Sequence, residues 1–419
     1  MKVSILSTYD RANGSARAAY RLHQGLQEIG LASQMVVQGK QTADANVIAP
    51  KSKLAEGLAK ARVTFDGLPL KLYRQRKSTL LSLQWLPDRC ATQIKHLKPD
   101  IINLHWANDA YVQIETLAKL KPPLVWSLHD MWAFTGGCHY TQGCDRYRQA
   151  CGACPHLGSQ TDLDLSRWVW QRKRKTWRRA NLTIVALSQW LGDCARESSL
   201  LKDIRVEVIP NGIDTQAYKP IDKQTARQLL GLPSDKQLVL FGALKATSDQ
   251  RKGFHLLQPA LRELSQNGWH DRLELVVVGA SQPDTPTDFG FKTHYLGTFA
   301  DDLTLALIYS AADLFVAPSV QENLANTVME ALACGTPCVA FKVGGMPDMI
   351  DPYQNGYLAQ PFEIEDLAQG IAWVLENTDR HQALAANARE TVMQRFTLEI
   401  QAHRYATLFE DVIKTTSSP

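Results

Sequence analysis

The sequence predicts an α/β protein built from two doubly wound parallel domains. Three observations lead there. Short runs rich in Val, Ile and Leu alternate with helical patterns along the chain, and the series of such runs starts twice. A stretch dense in turn formers, "PNGIDTQAYKPID" at residues 210–222, separates the two series. Strands separated by helices imply parallel pairing, because a parallel pair needs a crossover. Two series of this kind imply two sheets, each with helices on both faces.

In chain order, the first series places strands at "KVSILST", "SQMVVQ", "DIINLH", "LVWSLHD", "LTIVALS" and "VEVIPN". The second places them at "QLVLFGA", "LELVVVG", "THYLG", "LFVAPS", "PCVAFKV" and "GYLAQ". The closing segment, "FTLEIQAHRYATLFEDVIK", has helical periodicity and no strand after it. The expected division is an N-terminal domain at 1–215 with a Cys-rich insert at 136–158, a C-terminal domain at 216–399, and a last helix at 400–419.

Composition supports two ordinary cores: 419 residues, 45% hydrophobic and 21% charged. A net charge of +4 is small for this length and gives no sign of a nucleic-acid partner. The start, "MKVSILSTYDRANG", reads as a first strand and not as a secretory signal. No apolar run approaches the ~18–20 residues that a membrane span needs. The expected location is therefore the cytoplasm, with the inner face of the membrane as a place of peripheral contact. Eight cysteines in such a chain are no disulfide scaffold, so thiols or metal ligation are expected.

The stretch with the clearest chemistry is "QENLANTVMEALACGTPC", residues 321–338, with Glu322 and Glu330 in otherwise neutral surroundings. "DLFVAPS" reads as a strand and "TVMEALACG" as a helix, so Glu322 falls in the connecting loop and Glu330 in the helix's first turns. Asn326 and Thr327 are suitable capping residues, and Gly335 with Pro337 makes a helix stop. The amides of Asn326, Thr327 and Val328 then form an anion site by geometry and dipole. Two readings of the acids stay open here. They do proton chemistry, as in a glycosidase, or they accept hydrogen bonds from vicinal hydroxyls.

"PSVQENLANTVMEALACGTPCVAFKVGGMPDMI" resembles the signature region of the retaining glycosyltransferases of family 4: E-x7-E, then A-x-G-x-P and a Gly-Gly-x-Pro turn. The resemblance implies a GT-B fold: two Rossmann-like domains facing a cleft, with the last helix returning to the N-terminal domain. It implies Glu330 as ligand of the donor's ribose and Glu322 as ligand of the donor sugar. Asn326, Thr327 and Val328 become the diphosphate cradle. Usual members carry Gly-Phe-Gly where this chain has "NLANT".

Further segments extend the resemblance. "FGALKATSDQRKGFHLL" is similar to the element whose arginine and lysine neutralise the donor diphosphate. Lys252 matches, and Ala243 stands where the arginine usually stands, leaving Arg251 or Lys245 to replace it. Gly14, in "YDRANGSARAAY", resembles the glycine-rich loop near phosphate or acceptor. His129 and Asp130 resemble the strand-end pair whose histidine lies near the transferred sugar. His105 and Asn108, in "NLHWAND", are expected on the acceptor side. Thr298 and Phe299 resemble the backbone that receives the nucleobase. Asp162-Leu-Asp164 has the D-x-D form of metal-dependent transferases but lies away from a strand end.

"GGCHYTQGCDRYRQACGACPHLG" places Cys138, Cys144, Cys151 and Cys154 within one short insert, with His139 and His156 as alternates. Structural zinc and free or redox thiols are the competing readings. "RWVWQRKRKTWRR", residues 167–179, carries seven basic residues and three tryptophans. It suits either an anionic membrane surface or a surface helix whose tryptophans face the core.

The resemblance implies transfer of a hexose, with retention, from a nucleotide diphosphate sugar to a hydroxyl of a glycan or lipid-linked glycan. Exopolysaccharide or lipopolysaccharide synthesis is the expected setting, and no cofactor is required for catalysis. The rivals are a glycoside hydrolase acting through Glu322 and Glu330, a non-catalytic sugar-nucleotide or glycan-binding protein, and a sugar-nucleotide epimerase.

Overall fold

A computed structural model describes residues 1–50, 53–242, 249–280 and 288–417, with side chains of 53–56 and 417 left out. The chain divides into two compact units, Met1–Gly212 with Leu398–Pro419, and Ile213–Thr397.

The first unit holds a seven-stranded sheet in the order β3-β2-β1-β4-β5-β6-β7. Its strands are β1 (Lys2–Tyr9), β2 (Ala32–Gly39), β3 (Val47–Ile48), β4 (Ile101–Leu104), β5 (Leu124–Leu128), β6 (Leu182–Ala186) and β7 (Val206–Val208). Every neighbour is parallel. All match the sequence expectation except β3, whose two residues are too short to leave a pattern. The strand order reverses between β1 and β4, the crevice where open α/β sheets bind ligands.

The expected last helix spans Leu398–Ser417 and belongs to this unit. Its Ala402, Tyr405 and Phe409 are buried in one core with Ala19, Leu22 and Leu26 of the helix Gly14–Glu28. Gly25 permits the approach, since a Cβ there would stand 3.1 Å from the Leu398 carbonyl oxygen. Asn13 starts the helix Gly14–Glu28 by accepting the Ala16 N–H on its side chain at 2.9 Å.

The second unit holds six parallel strands in the order β10-β9-β8-β11-β12-β13. They are β8 (Gln237–Gly242), β9 (Leu273–Val278), β10 (Thr293–Gly297), β11 (Leu314–Ala317), β12 (Cys338–Phe341) and β13 (Gly356–Ala359), each where the pattern placed it. β9 and β12 are buried throughout, as strands covered by helices on both faces must be. Here the order reverses between β8 and β11.

Candidate active site

In the second unit the chemistry gathers at the carboxyl ends of β8 and β11, the reversal point of the sheet. Lys252 lies in the 3₁₀ turn Gln250–Lys252, and Glu322 lies in the loop that follows β11. Lys252 Nζ donates to Glu322 Oε2 at 2.6 Å, and Arg251 Nη1 donates to the same oxygen at 2.9 Å. Asp249 shapes the turn by accepting the Arg251 N–H at 3.0 Å. Burial alone would raise the Glu322 pKa, but the Lys252 and Arg251 charges outweigh it and hold the carboxyl at about 2. Glu322 is therefore a carboxylate at neutral pH. It cannot be the proton-donating acid of a glycosidase, which must carry a proton at working pH.

Two glycines make this arrangement sterically feasible. Gly253 has φ +75°, and a Cβ there would lie 1.7 Å from the Pro318 carbonyl oxygen. Gly344, first of the Gly-Gly-x-Pro turn, has φ +55°, and its Cβ would lie 1.8 Å from the Glu322 carbonyl oxygen. The next residue, Gly345, donates its N–H to that carbonyl at 3.1 Å. The signature glycines thus press the Glu322 loop into place from two sides. Only a residue without Cβ fits either position.

The helix after this loop spans Asn326–Ala333. Its N-cap is Ala325 and makes no side-chain capping bond, so the capping expected of Asn326 and Thr327 is not formed. The physical reason is register: both residues lie inside the first turn, one step past the cap. The Val328 N–H goes to the Ala325 carbonyl at 3.0 Å. Of the three amides expected in the anion cradle, that of Val328 is thus bonded within the helix's first turn. Thr327 and Lys252 line the same small pocket with Gly242, Pro318 and Ser319. Glu330 is buried on this helix and accepts the Tyr309 hydroxyl at 3.1 Å. Thr298 is exposed and Phe299 half-buried, directly after edge strand β10. Ala243 and Lys245 lie outside the described residues.

In the first unit, His105 follows β4 and His129 follows β5, adjacent strands in the sheet. His105 Nδ1 and His129 Nε2 are 2.8 Å apart. Burial lowers the His129 pKa to about 4 against the opposing charge of Asp130, and burial, then His129, holds His105 well below the usual imidazole value. Both rings are neutral at pH 7. They line one pocket with Trp106, Asn108 and Asp130. Gly14 is an exposed first residue of its helix.

Asp130 serves the loop beyond it. Its Oδ2 pairs with His139 Nδ1 at 2.6 Å and accepts Trp106 Nε1 at 3.0 Å, while Oδ1 accepts the Trp132 N–H at 2.8 Å. Burial raises its pKa, but His139 and the Trp132 N–H more than offset it, so Asp130 is ionised. His139 also meets Ser82 Oγ at 2.8 Å through Nε2, so neither ring nitrogen is open to a metal.

Among the described residues, no group of three or more Cys, His, Asp or Glu side chains is placed to hold a metal ion. Cys138, Cys144, Cys151 and Cys154 are free thiols around one pocket with His156. Burial raises the Cys138, Cys151 and Cys154 pKa values, Cys151 to about 12, so these sulfurs pack as protonated core groups. Asp164 of the D-x-D caps the helix Leu165–Trp177 by accepting the Ser166 and Arg167 N–H groups, and it also takes the Cys154 N–H. In that helix Trp170 and Trp177 are buried, and Arg172 lies over the Trp168 ring at 4.5 Å. Two of the three tryptophans thus face the core, and Trp168 is 39% exposed.

Sequence reading missed Asp249, Tyr309, Asn103 and Tyr405. Tyr309, Asn103 and Tyr405 act through partners brought near by the fold, whereas Asp249 acts on Arg251 two residues on.

Family comparison follows the same two units. A model described as "Glycosyltransferase Family 4" matches residues 12–217, and one described as "Glycosyl transferases group 1" matches residues 222–391. A D-inositol 3-phosphate glycosyltransferase of Segniliparus rotundus is 33% identical over 190 residues, 43% of this chain and 41% of that protein. The match thus spans less than half the length of the curated relative. Sucrose-phosphate synthase from Thermosynechococcus elongatus has a TM-score of 0.68 at 20% identity, covering 99% of this chain and 100% of that one. Anabaena Alr3699/HepE in complex with UDP-glucose has a TM-score of 0.62 at 19% identity, covering 98% and 100%. By the two family matches and the two doubly wound sheets, the chain belongs to the group 1/family 4 glycosyltransferases and has the GT-B fold.

Proposed function

We propose that the protein is a retaining hexosyltransferase. It moves a hexose from a nucleotide diphosphate sugar to a hydroxyl of a glycan or lipid-linked glycan, in exopolysaccharide or lipopolysaccharide synthesis. The observation that carries this reading is the Lys252–Glu322–Arg251 cluster at the sheet's reversal point, one loop before the helix that bears Glu330. As the glycosidic bond breaks, negative charge grows on the departing nucleotide diphosphate. Lys252 and Arg251 stabilise that charge, with the N–H groups of Asn326 and Thr327 at the helix start. Glu330 accepts from the ribose hydroxyls and Glu322 from the donor sugar. Backbone near Thr298 and Phe299 receives the base, and the neutral His129 hydrogen-bonds a sugar hydroxyl.

The solved complex of HepE contains UDP-glucose, which makes UDP-hexoses the first donors to test. Where the acceptor is lipid-borne, the exposed cations Arg174, Lys175, Arg178 and Arg179 supply attraction to an anionic membrane.

A thermal-shift panel of nucleotide sugars comes first, because a matched donor stabilises by mass action. Nucleotide diphosphate release that needs both donor and acceptor supports transfer. Hydrolysis of a glycan without nucleotide overturns it. Donor conversion with no acceptor points to an epimerase, and donor binding without turnover points to a binding protein.

A further inference from the structure

Behind His129 runs a continuous hydrogen-bond chain that ends in the last helix. His129 Nε2 meets His105 Nδ1 at 2.8 Å, and His105 Nε2 meets Asn103 Oδ1 at 2.8 Å. Asn103 Nδ2 donates to the Val125 carbonyl and to Ser127 Oγ, both at 3.0 Å. Ser127 Oγ meets the Tyr405 hydroxyl at 2.8 Å. Asn103, Ser127 and Tyr405 are fully buried and His105 nearly so.

The polarity of this chain can be worked out from its fixed end. The Val125 carbonyl only accepts, so the Asn103 amide must present its nitrogen there and its oxygen to His105. Asn103 Oδ1 also only accepts, so His105 Nε2 carries a proton. His105 is neutral in its buried position, so its Nδ1 is bare and accepts. The proton between the two rings therefore sits on His129 Nε2. The reverse arrangement would set the bare His105 Nε2 against the Asn103 oxygen at 2.8 Å, two acceptors face to face.

We propose that His105 and Asn103 are positioning residues that hold His129 in the Nε2–H tautomer and fix its ring plane, with Tyr405 anchoring the far end through Ser127. His129 then presents Nδ1 as an acceptor and does not act as a cation. A group that meets that nitrogen, such as a sugar hydroxyl, meets it as a donor. The last helix gains a second task beyond closing the core: one buried hydroxyl of that helix sets the end of a relay that reaches His129. Only the kinetic arm of the test rests on the transferase reading.

Long-range proton–nitrogen correlation on the ¹⁵N-labelled full-length protein at pH 7 reads the ring tautomers directly. The expected result is His129 and His105 both protonated at Nε2 and both neutral. His129 protonated at Nδ1, or a His105 cation, overturns the proposal. In kinetics, His105→Phe is expected to lower kcat ~10-fold with donor KM little changed, the effect of one lost orienting hydrogen bond. His105→Gln should recover much of that, because its amide oxygen accepts from His129 and its nitrogen donates to Asn103. If His105→Phe does not fold by circular dichroism, Tyr405→Phe removes one hydroxyl at the far end and is expected to lower kcat ~2–3-fold. Unchanged kcat in every folded variant overturns the positioning role. Full activity of His129→Ala with the expected tautomer in the wild type would instead remove His129 from the reaction and leave the relay standing.

Discussion

Lys252 and Glu322 form a 2.6 Å ion pair, and Arg251 shares the same carboxylate oxygen. The cations proposed for the donor diphosphate thus already share a carboxylate from the loop after β11. On the proposed transferase reading, donor binding exchanges one anion for another at Lys252 and Arg251, and Glu322 is then open to the sugar's hydroxyls. Lys252→Met keeps the aliphatic stem and deletes the charge. It is expected to lower kcat by ~10²–10³, the usual cost of removing one stabiliser of transition-state charge. Steady-state kinetics with the matched donor checks it. Nucleotide diphosphate affinity, measured by calorimetry, should fall in parallel.

Glu322 also ties stability to acid. Its folded pKa of about 2 lies below the unfolded carboxyl value of about 4.3. For a carboxyl depressed by folding, the stabilisation is complete above the unfolded value and is lost as pH falls through the folded one. The contribution at neutral pH is of the order of 3 kcal/mol, disappearing between about pH 5 and pH 2. Urea unfolding at stepped pH should show this loss in the wild type and a flatter profile in Glu322→Gln. The variant is also expected to be less stable at pH 7, because Lys252 and Arg251 lose their shared anion.

Gly344→Ala is expected to damage the site from outside it. Its Cβ would fall 1.8 Å from the Glu322 carbonyl oxygen, and its φ of +55° already disfavours a side chain. The loop must move, and Glu322 moves with it. A stability loss of ~2–4 kcal/mol with near-abolished turnover is the expected pairing. Thermal melting and kinetics together check it. A stable, fully active variant would show that the turn does not set the loop.

The legible and the hidden parts of this protein divide along physical lines. Strands such as β11 and β12 are buried on both faces and so appear in sequence as unbroken apolar runs. Glu322, Glu330 and the Gly-Gly turn were legible because one loop, one helix start and one tight turn hold them within 25 residues. The partners that tune them were not. Tyr309 reaches Glu330 from another helix, and Tyr405 reaches Ser127 across 278 residues of chain. The Cys-rich insert stayed ambiguous in sequence for a related reason. Cysteine spacing alone does not separate metal ligands from packed thiols, and burial keeps these thiols protonated. In "RWVWQRKRKTWRR" the tryptophans gave no sign of which face they would take, and the core took Trp170 and Trp177.

Lys173, in the same basic run, is fully buried and makes the last prediction. Its ammonium donates to the Trp132 and Thr135 carbonyls, the latter at 3.0 Å, and sits 3.6 Å from the centre of the Trp132 ring. Burial lowers its pKa to about 7, against the opposing influence of Cys151, Cys138 and Asp130. An unfolded lysine titrates near 10.4. Between these values the unfolded chain binds the proton and the native state does not, so stability rises with pH through this window. The buried cation's penalty is complete below about pH 7 and is relieved above it. Cys138 and Cys151 act oppositely: their thiols ionise in the unfolded chain from about pH 8.5 but stay protonated when folded. The rise should therefore run from about pH 7 to about pH 8.5 and then turn over. Lys173→Met is expected to abolish the rising limb and leave the fall above pH 8.5. Denaturant unfolding across pH 6–10 checks both limbs, and a wild-type profile flat between pH 7 and pH 8.5 would remove the buried lysine as its source.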